Sequence, residues 1–253
     1  MASIKTLLIT QARVGSTRLP GKVLLKINDD ELLKIHAKRL QQCKLIDVIT
    51  VATTTNESND VIVSLCNEWG LKTSRGSEDD VLDRFYQAAK IYNPEWVVRV
   101  TSDCPLIDPK LIDAVIAFAQ VNDVDYCSNT LIENFPDGQD VEVFKFSALA
   151  AAWEKAKLKS EREHVTPYIR THADFNKGTQ FKAMNFPCRD NFSDVRMTVD
   201  EPSDFELIRR VILDLGKEES WLTYTRYIIS NDLNQINANI VRNEGMLKSL
   251  KND

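Results

Sequence analysis

Short apolar runs alternate with longer amphipathic segments through the first half of the chain. The short runs predict strands at 6–10, 47–53, 71–74 and 96–101. The amphipathic segments between them predict helices at 31–44, 57–69, 79–92 and 109–120. Strands that alternate with helices indicate a parallel sheet covered on both faces. Ligands of such sheets bind beyond the carboxyl ends of the strands, so the loops that begin at Thr10, Arg75 and Thr101 are the candidate binding loops.

The rhythm changes after Asn122. Alternating patterns predict further strands at 140–146, 180–185 and 195–199. Helical patterns predict helices at 149–157, 162–172 and 202–215 and a largely helical tail over 224–250. Because neither an internal repeat nor a clear linker separates the halves, we predict a single domain over residues 1–253.

Composition narrows the classes of partner. The 253 residues are 43% hydrophobic and 27% charged, with a net charge of −5, which is typical of a soluble protein with an ample core. A mildly acidic chain without a basic block argues against binding duplex nucleic acid or an anionic membrane. Five scattered cysteines without a CxxC pair predict neither disulfides nor a zinc site. With no signal peptide and no apolar run long enough to span a bilayer, we expect a cytoplasmic protein.

The strongest chemical signal is the segment 11–22, QARVGSTRLPGK, directly after the first predicted strand. Glycines let backbone N–H groups approach a phosphate, and several cations can neutralise a polyphosphate. The segment supplies Arg13, Arg18, Lys22, Gly15 and Ser16. A solvated surface turn is the alternative, but basic residues and glycines at the end of a strand favour phosphate binding.

The segment is not a Walker A loop. Five residues separate Gly15 from Gly21 where that motif has four, and Val23 stands where a serine or threonine would coordinate magnesium.

The segment 11–22, called the basic loop below, gives the sequence a close resemblance to the cytidylyltransferases that activate sugar acids. It is most similar to the SpsF-like branch of spore-coat polysaccharide biosynthesis, and the CMP-Kdo and CMP-sialic acid synthetases are more distant relatives. The similarity continues in order through the blocks 76–85, 99–107, 136–144, 161–169 and 197–202, and reaches about Leu215.

The resemblance implies a Rossmann-like mixed-sheet α/β sandwich of the nucleotide-diphospho-sugar transferase type. It further implies Mg²⁺-dependent transfer of CMP from CTP to a small sugar acid or sugar phosphate, with release of pyrophosphate, by a homodimer. Residues 1–122 would bind the nucleotide and 123–222 the acceptor, followed by a helical tail at 223–253.

Resemblance and loop chemistry together predict the nucleotide contacts. The cations Arg13, Arg18 and Lys22 would hold the triphosphate and offset the charge of the leaving group. The complete predicted set is Gln11, Ala12, Arg13, Gly15, Ser16, Arg18, Lys22, Ser77 and Asp103. The acids that follow Ser77 are equally well explained as first-turn residues favoured by a helix dipole.

Two aspartates are the predicted magnesium ligands. Asp103 and Asp200 each follow a predicted strand, and carboxylates facing a phosphate loop suit Mg²⁺. The resemblance gives this pair the metal role. The alternatives are a turn residue for Asp103 and a helix N-cap for Asp200.

Four residues are predicted to contact the acceptor. Asp140 and Glu142 would lie on one face of a strand and bind sugar hydroxyls, unless they are exposed edge charges. His164 and Arg170 would read an anionic group, with Pro167 bending the segment between them. Internal pairs, including His164 with Glu161, are the alternative.

Two other functions remain open from the sequence. A glycosyltransferase that uses a nucleotide-sugar donor would account for Asp123-Val-Asp125, but it would leave the basic loop underused. A non-catalytic nucleotide-binding module is the second, against which the intact Asp103, Asp200 and Lys22 argue.

Overall fold

The computed structural model describes residues 4–251 and 253. The strands are β1 (Thr6–Gln11), β2 (Lys26–Ile27), β3 (Asp30–Glu31), β4 (Val48–Thr54), β5 (Lys72–Gly76), β6 (Trp96–Thr101), β7 (Tyr126–Ser128), β8 (Glu142–Lys145) and β9 (Ala183–Asn185). The helices are α1 (Leu32–Leu40), α2 (Asp60–Glu68), α3 (Val81–Lys90), α4 (Pro109–Val121), α5 (Phe146–Lys155), α6 (Lys159–His164), α7 (Pro167–Thr171), α8 (Pro202–Leu215), α9 (Trp221–Ser230) and α10 (Glu244–Leu250). Short 3₁₀ turns cover Lys22–Leu24, Glu57–Asn59, Asp174–Asn176 and Leu233–Ile236.

Seven strands form one mixed sheet in the order β5-β4-β1-β6-β8-β7-β9, and β2 pairs with β3 apart from it. Strands β5, β4, β1 and β6 run parallel, whereas β8 is antiparallel to both of its neighbours. This architecture confirms the predicted Rossmann-like mixed α/β fold. Because Gln11 pairs with Thr101, the loops after β1 and β6 leave the sheet side by side.

Strand β1 is buried on both faces, which explains the uninterrupted apolar run at residues 7–9. Leu7 and Ile9 pack in one core cluster with Phe85 of α3, while Leu8 packs in another with Ile112 and Val115 of α4. Among the described helices, none is long and apolar enough to cross a membrane.

The structure corrects three expectations for the second half. The segment 195–199 joins no strand ladder and makes a single bridge, between Arg196 and Asp137. Its alternating pattern arises because Val195, Met197 and Val199 enter the core beside α8. The intervening Arg196 and Thr198 are also buried but make polar contacts, so the period of two reflects alternating apolar and polar packing and not strand pairing.

The predicted helix 162–172 is two short helices, because Val165 has a φ of 73° and Pro167 begins α7. The predicted tail helix is likewise divided into α9, a 3₁₀ turn and α10. The ends of these segments were set by backbone features that a helical periodicity does not detect.

His36 is fully buried beneath the carboxyl ends of β1 and β6. Its Nδ1 lies 2.9 Å from the carbonyl oxygen of Cys104, and its Nε2 lies 3.0 Å from the hydroxyl of Thr10. Since a carbonyl only accepts, Nδ1 carries the proton and the Thr10 hydroxyl donates to Nε2. Burial lowers the pKa of His36 to about 4.

The depressed pKa makes the folded state sensitive to acid. The unfolded chain takes up a proton on His36 near pH 6.5, whereas the folded protein resists protonation until about pH 4, so stability is lost as pH falls between these values. We expect His36 to lower the free energy of unfolding by about 2 kcal/mol between pH 8 and pH 5. Urea denaturation at both pH values measures this change. In His36→Gln, most of this pH-dependent loss of unfolding free energy should be absent. His172→Gln, at the partly exposed end of α7, is the control; equal pH dependence in both variants would contradict the assignment.

Candidate active site

A continuous cleft lies at the carboxyl edge of the sheet and has two parts. The outer cavity, of about 1050 Å³, is lined by the basic loop and by Glu78, Asp79 and Arg84. The inner cavity, of about 470 Å³, extends between β6, β8 and α7. Both parts are lined by Gln11, Arg18, Thr101, Asp103, His164, Asp200, Glu244 and Gly245.

Backbone hydrogen bonds at Val14 fix the conformation of the basic loop. Val14 anchors it, because its N–H donates to Asn59 Oδ1 at 2.8 Å and its carbonyl accepts from the N–H groups of Ser16 and Gly21. Gly21 has a φ of 67°, a left-handed conformation that favours glycine, and it directs the next residue, Lys22, inward. Of the predicted loop contacts, Ala12, Arg13, Ser16, Arg18 and Lys22 line the outer cavity.

Lys22 joins the two aspartates predicted to bind metal. Its Nζ donates to Asp103 Oδ2 and to Asp200 Oδ1, each at 2.7 Å. Burial opposes ionisation of Asp103, but the Lys22 ammonium overcomes it and holds the pKa of the Asp103 carboxyl well below its usual range. Burial likewise opposes the charge on Lys22, and the two carboxylates nevertheless raise its pKa. Lys22 and Asp103 are therefore both charged at neutral pH.

The carboxylate of Asp200 faces the cleft. It also accepts from Arg196 at 2.8 Å and pairs with Arg18 at 3.3 Å. The backbone N–H groups of Asp200 and Glu201 donate instead to the side chain of Asp204, at 2.9 and 3.0 Å. Asp204 thus supplies the hydrogen bonds at the start of α8, and Asp200 is left to the site.

The other loop cations are also paired with carboxylates. Arg13 lies 3.3 Å from Glu78 on the exposed side of the cleft. Arg18 lies 3.3 to 3.5 Å from Asp200, Glu201 and Glu244. The loop is consequently neutralised by internal acids, which an incoming anion would have to replace.

The donor set fits a magnesium ion that is shared with phosphate. Within 4–251 and 253, no group of three or more acidic, histidine or cysteine side chains is placed to hold a metal. Mg²⁺ commonly takes only one or two protein carboxylates and completes its shell with water and substrate phosphates. Asp103 and Asp200, which converge on one Lys22 nitrogen, match that requirement.

The inner cavity contains both predicted acceptor carboxylates. Glu142 already accepts from Tyr126 at 2.6 Å, from Thr166 at 2.5 Å and from Arg99, so about one acceptor position of its carboxylate remains for a ligand. Asp140 pairs with Arg242 at 2.9 Å. Burial, followed by neighbouring acids, raises the pKa of Asp140 despite Arg242.

Arg170 also faces the inner cavity. Across the described part of the chain, its guanidinium makes no hydrogen bond or ion pair. The nearby Tyr126 and Glu142 favour its charged form and raise its pKa. An unpaired, largely enclosed guanidinium is suited to binding an anion.

His164 lies on α6 and Arg170 on α7, so the bend between these helices lets both side chains reach the inner cavity. The Nε2 of His164 is 3.0 Å from the hydroxyl of Ser249. Glu161 instead accepts from the backbone N–H groups of Lys157 and Leu158, so the alternative pair of His164 with Glu161 does not form.

Residues 7–236 match the family model described as cytidylyltransferase. The chain belongs to the cytidylyltransferase family. This makes it a nucleotidyltransferase.

Three relatives support this assignment over most of the cytidylyltransferase's length. An uncharacterized protein of Methanocaldococcus jannaschii is 43% identical over 204 residues, which are 81% of this chain and 82% of the relative. Spore coat polysaccharide biosynthesis protein SpsF of Bacillus subtilis is 35% identical, over 83% of this chain and 88% of that protein. The solved structure of a cytidylyltransferase from Leptospira borgpetersenii superposes with a TM-score of 0.85 at 32% identity, covering 94% and 98% of the two chains.

Not every predicted residue faces the cleft of this cytidylyltransferase. The hydroxyl of Ser77 accepts from the N–H of Asp80 at 3.0 Å, in the turn before α3, and Ser77 does not line either cavity. Gly15 does not line them either, although a Cβ at its position would approach Glu78. The Asp123-Val-Asp125 pair is remote from the cleft and binds Lys145.

Two further residues of the site were not predicted from the sequence. Arg84 lines the outer cavity and donates to the carbonyl oxygen of Ser77 at 2.5 Å. Arg196 binds Asp137 at 2.5 Å in addition to Asp200 and so fixes the two carboxylates relative to each other. Arg84 lies within the block 76–85 that carries the family resemblance, which was the available signal, whereas Arg196 directly precedes the block 197–202.

The charge balance at Lys22 leads to a test on the free protein. In Lys22→Met, burial of Asp103 is no longer offset by an ammonium, so its pKa should rise from well below its usual range to above it. Carboxyl ¹³C NMR titration of labelled aspartate measures this shift. Lys26→Met, which removes an exposed partner of Glu31, should leave Asp103 unchanged. If Asp103 titrated alike in all three proteins, Lys22 would not be its controlling neighbour.

Proposed function

We propose that this enzyme transfers CMP from CTP to a small sugar acid or sugar phosphate, with Mg²⁺ as cofactor and pyrophosphate as the second product. The observation that carries the proposal is the Lys22 bridge between Asp103 and Asp200, beside Arg18, at the junction of the two cavities. Family membership supports cytidylyl transfer, and the similarity to SpsF favours a role in surface polysaccharide or glycan precursor synthesis.

The triphosphate would occupy the outer cavity. Arg13, Arg18 and Lys22 would exchange their carboxylate partners for phosphate oxygens and offset the charge that develops on the departing pyrophosphate. Gln11, whose buried side-chain oxygen has no hydrogen-bond partner within the described residues, is available to the nucleotide. Asp103 and Asp200 would hold Mg²⁺, which when bound supplies positive charge to the α-phosphate.

The acceptor would occupy the inner cavity. Arg170 would bind its anionic group, while Asp140 and the remaining oxygen position of Glu142 would accept hydrogen bonds from its hydroxyls. An acceptor oxygen would then attack the α-phosphorus as the bond to pyrophosphate breaks in line. Rate enhancement in this arrangement comes mainly from positioning and charge stabilisation.

The remaining parts of the proposal rest on resemblance and composition. We further propose that the enzyme is a homodimer in the cytoplasm. Residues 1–122 would bind the nucleotide and 123–222 the acceptor. A glycosyltransferase gains no support from the site, because the Asp123 and Asp125 carboxylates lie away from the cleft.

A pyrophosphate-release assay tests the reaction. CTP, UTP, ATP and GTP are each combined with Mg²⁺ and a panel of sugar acids and sugar phosphates, and we expect release with CTP only. Asp103→Asn and Asp200→Asn should each lower turnover by about a hundredfold or more while melting cooperatively, because each removes a negative charge from the site. Lack of release with every pair would reject the proposed reaction. Full activity of Asp200→Asn at low Mg²⁺ would remove Asp200 from the metal site.

The acceptor assignment has its own test. Arg170→Ala should raise the Michaelis constant for the acceptor about ten- to a hundredfold, the usual effect of losing a hydrogen bond to a charged group, and leave that for CTP nearly unchanged. Arg209→Ala, which removes an exposed arginine of α8, is the control. Unchanged constants for both substrates, or a neutral sugar as the true acceptor, would refute the role of Arg170.

A further inference from the structure

The C-terminal strap, residues 241–250, lies across the cleft. It comprises α10 and the three residues before it, and it follows the last residue of the family match at 236. Glu244 and Gly245 line both cavities, and Lys248 lines the outer one. The strap therefore covers the junction where the proposed triphosphate and acceptor would meet.

Polar contacts hold the strap in place. At its start, Arg242 donates to Asp140 at 2.9 Å and Asn243 donates to Glu133 at 2.8 Å. At its end, Ser249 contacts His164 and Glu163 at 3.0 and 2.8 Å. Ser249 is the buried residue of α10, whereas the apolar Leu247 and Leu250 are about half exposed. A segment held mainly by polar contacts, with little apolar burial, opens at a lower cost in free energy than the core.

Between these anchors, Glu244 pairs with Arg18 of the basic loop at 3.5 Å. The side chains of Arg18 and Glu244 are 33% and 37% exposed, so water screens their attraction. The distance also exceeds that of a strong charge-assisted hydrogen bond.

The three acids around Arg18 differ in how firmly they are held. Asp200 is fixed by Lys22 and Arg196, and Glu201 stands at the start of α8. Glu244 belongs to the strap and has a second partner, Lys248, at 2.8 Å. Of the three acids, Glu244 is the one on a peripheral segment, and it keeps Lys248 as a partner when it leaves Arg18.

We propose that Glu244 is an internal competitor of the triphosphate for Arg18, so that nucleotide binding releases the C-terminal strap from the cleft. A triphosphate carries several charges and many acceptor oxygens and can replace one screened carboxylate. The inference rests on the proposed function for the identity of the triphosphate. It assigns Glu244 the role of setting nucleotide affinity.

The first test compares affinities by isothermal titration calorimetry on the full chain. Glu244→Gln should bind CTP with Mg²⁺ about two- to fivefold more tightly than the wild type, the range expected when one exposed competing ion pair is lost. Glu206→Gln makes the same chemical change on the exposed face of α8 and should match the wild type. Equal or weaker binding by Glu244→Gln would overturn the inference.

The second test follows the strap by amide hydrogen exchange. Residues 244–250 should exchange faster when CTP and Mg²⁺ are bound, because the Arg18 contact is lost. Slower exchange would show instead that the strap closes on the nucleotide, and it would refute competition.

Inorganic tripolyphosphate separates this inference from the proposed function. If tripolyphosphate binds more tightly to Glu244→Gln and CTP does not bind at all, the competition at Arg18 stands and the cytidylyl reaction falls. If CTP binds alike to wild type and Glu244→Gln, the competition falls, whereas the nucleotide binding that the proposed reaction requires stands. Absence of binding by both ligands rejects both.

Discussion

The ammonium of Lys22 between Asp103 and Asp200 is the interaction on which the rest of the cleft depends. Its three members come from the loop after β1, the end of β6 and the segment before α8, and both contacts are 2.7 Å long. Partly buried charges are stable only when they are paired, so these distant segments must meet for any one of them to be placed. The bridge also draws together the side chains proposed to hold phosphate and magnesium.

Charge pairing distinguishes the two parts of the cleft. In the outer cavity each cation of the basic loop has a carboxylate partner, so the protein carries internal substitutes for the phosphates it is proposed to bind. In the inner cavity Arg170 has no such partner among the described residues. The outer site is accordingly suited to exchange one set of anions for another, and the inner site to accept a new one.

The parts of the fold and of the site that depend on local sequence patterns could be predicted from the sequence. The apolar runs of β1 and β6 are visible because parallel strands are buried on both faces, and the loop from Gln11 to Lys22 is visible because its cations and glycines are contiguous. The expected pKa change of Asp103 in Lys22→Met, by contrast, rests on a contact that only the folded structure shows. The strand predicted at 195–199 was wrong, because apolar side chains that pack beside α8 alternate there with buried polar ones, and this alternation has the same period as a strand.

By itself, the sequence determined the order of most strands and helices, the basic loop and the resemblance to cytidylyltransferases. Only the tertiary structure decided the partners of the charged side chains: Lys22 with two aspartates, Asp140 with Arg242, and Arg18 with Glu244 of the strap. The physical reason is separation along the chain. Strand and helix patterns are set by neighbouring residues, whereas an ion pair between residues 18 and 244 exists only because the folded backbone brings them within 3.5 Å.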